Sequence, residues 1–185
     1  GLKSISMNDL ARESGISKRR IYTFFSDKNE LIERLVDSLI EEQRVILSES
    51  REKAKDAVDE VLLQSEAAVE FLSKVSPRFF LELQKSVAPM WDRIHYYRNQ
   101  VLLPAIQENL LTGIRENYYR HDIDPEFVAR VRLLQTDAVW QPNELLNKAL
   151  TPESLMKQLT AFYLHGITSE KGKERLNLYL TNYNA

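Results

Sequence analysis

Cysteine is absent from the 185 residues of this sequence. A disulfide framework, a thiolate nucleophile and cysteine-based zinc or iron–sulfur sites are therefore excluded. No stretch approaches the roughly 18 consecutive apolar residues that a membrane span requires. Residues 1–6 also lack the apolar core of a signal peptide. These absences predict a soluble, cytoplasmic protein.

Glycine and proline are scarce, with five glycines and six prolines in the whole sequence. They stand between segments whose apolar residues recur at helical spacing, and no alternation of β-branched residues indicates strands. With 43% hydrophobic residues, the pattern predicts an all-α fold with a sizeable core. Each proline is expected in the first turn of a helix or in a loop: Pro77, Pro89, Pro104, Pro125, Pro142 and Pro152.

Three serines mark the beginnings of closely spaced helices near the N-terminus. Ser6 precedes a predicted helix over residues 7–14, and Ser17 precedes one that ends near residue 25. Ser26 precedes a long helix from about residue 28 to beyond 47. Further helices are expected at 56–76, 77–87, 89–100, 104–119, 125–140 and 152–166, and from about residue 169.

The first two helices have the spacing of a helix-turn-helix motif, which needs a small residue at the helix crossing, a turn residue that tolerates left-handed geometry and an apolar residue beneath the second helix. Ala11, Gly15 and Ile21 meet these needs. Further inward positions are Leu10, Ile16, Phe24 and Phe25, and the outward positions of the second helix are Lys18, Arg19, Arg20, Tyr22 and Thr23.

Residues 1–30 carry six basic and four acidic side chains, although the whole chain has a net charge of −2. A local basic surface of this kind is typical of a DNA-binding head on another domain.

Residues 6–31 resemble the signature of the TetR/AcrR (tetracycline-repressor-like) family of transcriptional regulators. The resemblance lies in an alanine four residues before Gly15, an Ile-Ser turn, Tyr22 with a phenylalanine three residues later, and Lys28 before Glu-Leu. It extends over roughly residues 1–47. Members of that family carry a further helix ahead of this motif, and we expect that helix to precede the 185 residues.

The resemblance implies two domains: a helix-turn-helix DNA-binding domain with the start of a linker helix at residues 1–47, and a helical ligand-binding and dimerisation domain at residues 48–185. Lys18, Tyr22 and Lys28 correspond to phosphate-contacting positions of the family. Arg19, Arg20 and Thr23 are the expected base-reading residues, since arginine pairs with guanine through two hydrogen bonds. The complete set of expected DNA contacts is Ser6, Ser17, Lys18, Arg19, Arg20, Tyr22, Thr23, Phe24 and Lys28, and Phe24 fits the core equally well.

The resemblance also implies that two helices near the C-terminus pair with their copies in a homodimer, which would bring two recognition helices to successive major grooves. The helices at residues 125–140 and 152–166 are the counterparts, with intrachain packing as the alternative. The expected interface residues are Phe127, Val131, Leu134, Leu155, Leu159 and Phe162. Family habit favours a repressor that binds a palindromic operator and responds to a small-molecule inducer.

An aromatic-rich stretch between residues 79 and 97 has the composition of a small-molecule pocket. The expected ligand contacts are Phe80, Gln84, Trp91, His95, Tyr96 and Tyr97. Aromatic residues at helical spacing are more often part of an ordinary core, so both interpretations stay open. The identities of the inducer and the operator do not follow from the sequence.

An enzyme has no support, because no glycine-rich phosphate loop and no Gly-x-Ser-x-Gly motif occurs in the sequence. The three histidines are far apart and none has the spacing of paired metal ligands on a helix. No cofactor and no metal are expected. The main alternative is a helical ligand-binding or protein-interaction dimer that does not bind an operator, although the basic face of the second helix counts against it.

Overall fold

The computed structural model describes residues 6–140 and 150–183, and within these ranges the chain is built from α-helices. The helices are α1 (Met7–Ser14), α2 (Lys18–Phe24), α3 (Lys28–Lys53), α4 (Ala57–Lys74), α5 (Pro77–Ser86), α6 (Ala88–Tyr97), α7 (Leu103–Arg115), α8 (Pro125–Ala138), α9 (Pro152–Ile167) and α10 (Glu170–Tyr183), with a π-helical turn at Arg98–Leu102 between α6 and α7. Extended pairing in the described ranges is limited to one bridge between Tyr119 and Thr168. The predicted all-α fold is therefore confirmed.

The first two helices begin at the serines that the sequence indicates. Ser6 forms a capping box with Asp9, because its side chain accepts from the Asp9 N–H and the Asp9 carboxylate accepts from the Ser6 N–H at 2.9 Å. The Ser17 hydroxyl accepts from the N–H of Arg20. Gly15 ends α1 with a φ of 68°, a left-handed conformation that glycine adopts without strain.

The cap of α3 differs from the prediction by one residue. Asp27 is the N-cap and its carboxylate accepts from the N–H of Glu30 at 2.9 Å, a favourable position for a negative charge. Ser26 lies just outside the helix, and its backbone N–H donates to the Glu30 carboxylate. That hydrogen bond, together with those from the side chains of Ser26 and Arg34, lowers the pKa of Glu30 to about 2. The turn between α2 and α3 is thus fixed by an ionised carboxylate.

Helices α6 and α7 form one continuous helical run through the π turn, although the sequence predicted a break before Pro104. A proline inside a helix clashes with the carbonyl four residues earlier and has no N–H to donate. The wider π turn at Arg98–Leu102 immediately precedes α7, in whose first turn Pro104 stands. The chain therefore continues through the proline instead of breaking.

The end of α7 comes earlier than predicted, at Arg115 and not near Tyr119. Asn117 has a φ of 62°, and the N–H groups of Tyr118 and Tyr119 both donate to the carbonyl of Gly113. Tyr119 is fully buried, and its hydroxyl donates to the Ala57 carbonyl at 2.7 Å. We infer that burying Tyr119 and forming its hydrogen bonds stabilises the chain more than one further turn of α7 would.

The main core lies where α4 packs on α7, α9 and α10, with α8 against α7 and α9. Asp56, at the N-cap of α4, ties the C-terminal helix to this core, because its carboxylate accepts from Arg175 Nε at 2.6 Å and from the Tyr179 hydroxyl at 2.8 Å. Burial opposes its ionisation, yet these hydrogen bonds hold the pKa of Asp56 below its usual value. In the described residues no helix is both long and apolar enough to cross a membrane.

We predict that Gly113→Ala destabilises the protein by about 2 to 4 kcal/mol, since a Cβ at this position would overlap the ring of the fully buried Tyr119. Urea unfolding followed by circular dichroism measures the change. Leu111→Ala is the control, because Leu111 lies on the same helix and is 53% exposed. Equal stabilities of the two variants would contradict the tight packing of Tyr119 on α7.

Candidate DNA-binding surface and ligand cavity

Helix α2 projects from the N-terminal end of α3 with one side chain anchored beneath it. Ile21 is 7% exposed, whereas Lys18, Arg19, Arg20 and Thr23 are exposed. The ammonium group of Lys18 lies 5.8 Å from the centre of the Tyr22 ring, and the Tyr22 side chain is 44% exposed. The predicted outward face of the second helix thus presents cations, a hydroxyl and an aromatic ring to solvent.

Several predicted inward positions of the head are not buried. Ile16 is 43% exposed and Phe24 is 61% exposed, and Leu35, on the N-terminal part of α3, is 40% exposed. Leu10 and Phe25 are half-buried. Of the remaining expected DNA contacts, Ser6 and Ser17 are exposed and Lys28 is half-buried. The cationic face is therefore found where it was predicted, but the apolar side of the head is more open than the pattern indicated.

A cavity of about 160 Å³ lies in the body between α3, α4, α6 and α8. Its apolar wall is aromatic: Trp140 packs edge-on against Phe71, with ring centres 5.4 Å apart, and against Phe80 at 4.7 Å. Helix α3 contributes a stripe of Val36, Leu39, Ile40, Gln43, Ile46 and Leu47. The same helix that begins beside α2 therefore forms one wall of the cavity.

The predicted ligand contacts divide into two groups. Phe80, Trp91 and Tyr97 line the cavity, together with Ile94 of α6. Gln84, His95 and Tyr96 do not: Gln84 is exposed, Tyr96 is 67% exposed, and His95 is half-buried with its ring 5.0 Å from that of Trp91. On α6 the residues three positions apart, 91, 94 and 97, share the inward face, whereas 95 and 96 are rotated away. Gln84, His95 and Tyr96 were grouped with the cavity residues because composition was used without the helical phase, and the structure places them outside the cavity lining.

The polar residues of the cavity come from segments to which the sequence analysis gave no ligand role. Arg98, in the π turn, forms an ion pair with Asp137 of α8, and both side chains are largely buried. Burial raises the pKa of Asp137 to about 6, despite the opposing effect of Arg98. Arg132 of α8 and Gln43 of α3 also line the cavity. The sequence did contain one signal for this site: Arg132 is a basic residue between the apolar residues Val131 and Leu133 of α8.

Four polar side-chain atoms at this cavity are buried and have no hydrogen-bond partner in the described protein. They are Nε2 of Gln43, the hydroxyl of Tyr97, Nε of Arg98 and Nη1 of Arg132. Buried polar groups are normally hydrogen-bonded, and each one left unpaired costs free energy. All four can donate a hydrogen bond. The residues that line the cavity therefore include both unpaired hydrogen-bond donors and aromatic rings, a combination that is typical of small-molecule sites.

Helix α6 connects the cavity to the head-proximal part of α3. Its inward face lines the cavity, while Arg93 donates to Asp37 and Glu33 of α3, each at 2.7 Å. Beside this ion pair, Ile32 and Val36 of α3 pack with Leu83 in a buried cluster that also includes side chains of α6. These contacts join α6 to the part of α3 that follows α2.

The outer face of α8 and α9 is apolar and open. Phe127 is 64% exposed, Leu134 is 66% exposed and Phe162 is 72% exposed. Phe127, Phe162 and the half-buried Val131 line a shallow groove with Gly166, at which an added Cβ would meet no atom.

Two of the expected interface residues point elsewhere. Leu155 is 3% exposed and packs with Leu72, Val139 and Met156 in the core of one chain, and Leu159 is half-buried against the same cluster. The prediction for Leu155 as an interface residue was therefore wrong, because its position on α9 faces α4. In the described ranges no group of three or more His, Asp or Glu side chains is arranged to hold a metal ion.

Comparison with known proteins bears on both halves of the chain. Residues 1–35 match the family described as bacterial regulatory proteins, tetR family. A curated relative, the uncharacterized HTH-type transcriptional regulator YvaF of Bacillus subtilis (strain 168), is 24% identical over 172 residues, which is 91% of this chain and 88% of the relative. Residues 1–35 are thus similar to the TetR family of regulators, and the similarity to YvaF extends over most of the chain.

Solved structures share the fold of this chain over most of its length. The ketosteroid transcriptional regulator KstR2 of Mycobacterium tuberculosis has a TM-score of 0.67 at 21% identity, over 92% of this chain and 88% of that one. PfmR from Thermus thermophilus has a TM-score of 0.68 at 15% identity, over 89% and 90%. The fatty acid degradation regulator FadR from Bacillus halodurans has a TM-score of 0.66 at 16% identity, over 88% and 86%. The relatives named here are described as regulators, and the match of residues 1–35 to the tetR family supports a DNA-binding regulator.

Proposed function

We propose that this protein is a ligand-responsive transcriptional repressor that acts in the cytoplasm and binds a palindromic operator as a homodimer. The observation that carries the proposal is that α3 holds the cationic helix α2 at one end and lines the cavity farther along. A ligand site and a DNA-binding surface are thereby joined by one element.

The cationic face of α2 supports the DNA-binding part. Arg19, Arg20 and Thr23 are all exposed on a short helix that follows a tight turn. In helix-turn-helix proteins this second helix lies in the major groove, where arginine reads guanine. We assign base contacts to these residues and phosphate contacts to Lys18, Tyr22 and Lys28. Ser6 and Ser17, at the N-termini of α1 and α2, are expected to lie near the phosphate backbone.

The open apolar face of α8 and α9 supports the dimer. Phe127, Leu134 and Phe162 expose large side chains on neighbouring helices, and isolated monomers rarely expose contiguous apolar patches of this kind. A two-fold axis through this face would bring each residue opposite its copy or a neighbour of its copy. The two recognition helices would then be held at one fixed separation.

The fixed separation of the two recognition helices in the dimer would couple ligand binding to operator binding. Successive major-groove faces recur about every 34 to 36 Å, so a small change in the separation of the recognition helices removes one half-site contact. A ligand that prefers one tilt of α6 would shift α3 through Arg93 and the cluster around Leu83. Operator affinity would then fall without any change in the DNA contacts themselves.

Sequence selection on random DNA with the full-length protein, followed by salt-dependent mobility shifts, tests the proposal. Enrichment of a two-fold symmetric site is expected, with affinity that falls steeply as salt rises. Failure to enrich any sequence would favour the alternative, a helical ligand-binding or protein-interaction dimer without an operator.

We predict that Arg19→Ala or Arg20→Ala weakens binding to the selected operator by about 1 to 3 kcal/mol and relaxes preference at one base position. Lys18→Ala should instead weaken binding to all sequences and flatten the salt dependence. Fluorescence anisotropy at several salt concentrations measures both effects. Arg78→Ala is the control, since it removes an exposed arginine of α5 that pairs within its own helix. Unchanged affinity in both α2 arginine variants would refute the recognition-helix assignment.

We predict that Phe162→Arg yields a folded monomer, because it places a charge in the centre of the apolar face while Phe162 contributes little to the core of one chain. Light scattering after gel filtration should change from dimer to a mass near 21.6 kDa. Leu178→Arg on α10, where the leucine is 57% exposed, is the matched control and should stay dimeric. A wild-type monomer at micromolar concentration would contradict the assignment of this face.

We predict that Arg93→Met reduces the effect of a cavity ligand on operator affinity by about threefold or more, because it removes both ion pairs between α6 and α3. The ratio of operator dissociation constants with and without ligand measures the effect. Arg78→Met serves as control, since Arg78 is exposed and pairs with Glu82 within its own helix. An unchanged ratio in Arg93→Met would mean that coupling does not pass through α6.

A further inference from the structure

Arg132 is a buried cation at the wall of the cavity. Its side chain is on α8, it is 7% exposed, and its guanidinium group lies 4.8 Å from the centre of the Tyr163 ring. One terminal nitrogen, Nη2, donates to the Thr160 hydroxyl at 2.9 Å. The other, Nη1, is buried without a partner although it belongs to a residue that lines the cavity.

The charge of Arg132 is not compensated by any carboxylate in the part of the chain that the structure describes. The acidic residue that lines the same cavity is Asp137, and it is paired with Arg98. Thr160, which also accepts from Ser65 at 3.0 Å, supplies a dipole and no charge. Burial accordingly lowers the pKa of Arg132, although arginine stays protonated in proteins. A buried, hydrogen-bonded cation without a counter-ion is costly and is normally found paired.

We propose that the cavity binds a small apolar monocarboxylate, whose carboxylate accepts a hydrogen bond from Nη1 of Arg132 while its apolar body lies among Phe71, Phe80, Trp91 and Trp140. The proposal rests on the ligand-responsive function stated above and names the chemical class of that ligand. The hydroxyl of Tyr97 and the amide of Gln43 are further unpaired donors at the cavity. Both would add to the recognition of an anionic oxygen atom.

The balance of charge favours a single negative charge on the ligand. The cavity is lined by two guanidinium groups and one carboxylate, so one anionic group makes the site neutral. A dianionic phosphate would leave a buried negative charge in excess. A neutral ligand would satisfy the donors but would leave the charge of Arg132 unpaired. The aromatic wall in turn requires an apolar body, since its ring edges and faces offer few hydrogen-bond partners.

Isothermal titration calorimetry with straight-chain acids from butanoate to dodecanoate, and with 3-phenylpropanoate and 4-phenylbutanoate, tests the proposal. Each acid is compared with its primary amide, which has the same shape and no charge. At least one acid should bind at least about tenfold more tightly than its amide, as a charge-assisted hydrogen bond predicts. If none of these acids binds, or if acid and amide bind equally well, the proposal is wrong.

The variant Arg132→Met assigns the interaction to one residue. It should weaken binding of the acid by at least about tenfold and leave binding of the amide within about twofold. Arg78→Met is the control, because it removes a solvent-exposed arginine that does not line the cavity. The ligand-free melting temperature of Arg132→Met should equal or exceed that of wild type, since an unpaired buried charge is removed. Equal loss of acid and amide binding would show a structural role and would overturn the assignment.

Operator binding, measured on the same preparations, separates this proposal from the proposed function. If the wild-type protein binds its selected operator but shows no preference for acids, the regulator stands and the ligand class is wrong. If an acid binds through Arg132 but no DNA sequence is selected, the ligand class stands and the regulatory function is wrong.

Discussion

The packing of α3 against α5 and α6 is the interaction on which the rest of the structure depends. Ile32 and Val36 are buried against Leu83, and Arg93 spans two carboxylates one helical turn apart on α3. Exposed ion pairs contribute little stability by themselves. The apolar cluster therefore supplies most of the stability of this contact, and the ion pairs of Arg93 fix the orientation of α6 relative to α3. Because α3 begins one turn after α2, this contact sets where α2 stands relative to the body.

The cavity combines groups that a purely structural core would avoid. Four donors are left unpaired at its wall, and one of them belongs to the buried cation Arg132. An apolar residue at position 132 would be expected to stabilise the free chain. Departures from good core packing of this kind occur where a protein has a function to serve. A ligand that accepts hydrogen bonds from these donors would offset the free energy lost by leaving them unpaired.

Much of the head could be predicted from sequence because its signals are local. Caps at Ser6 and Ser17, the left-handed Gly15 and the outward cations depend on residues within one turn of each other. The cavity could not be predicted in the same way, since Arg98 meets Asp137 across 39 positions and Arg132 meets Thr160 across 28. Composition located the aromatic wall of α5 and α6, but the helical phase was needed to exclude His95 and Tyr96. Leu155 was assigned to the dimer interface for a related reason. An apolar stripe on α9 does not show whether it packs on α4 of the same chain or on a second chain.

We propose that helix α3 links the cavity to the separation of the two copies of α2 in the dimer. The absence of cysteine allows a single spin label at Asn29→Cys, an exposed position in the first turn of α3. Double electron–electron resonance on the labelled dimer then gives one distance between protomers, measured for the free protein, for the complex with the selected operator, and with a ligand that titration has located in the cavity by its dependence on Arg132. We predict a narrow distance distribution on operator DNA and a distribution displaced from it with ligand. Identical distributions in the two complexes would contradict coupling through α3.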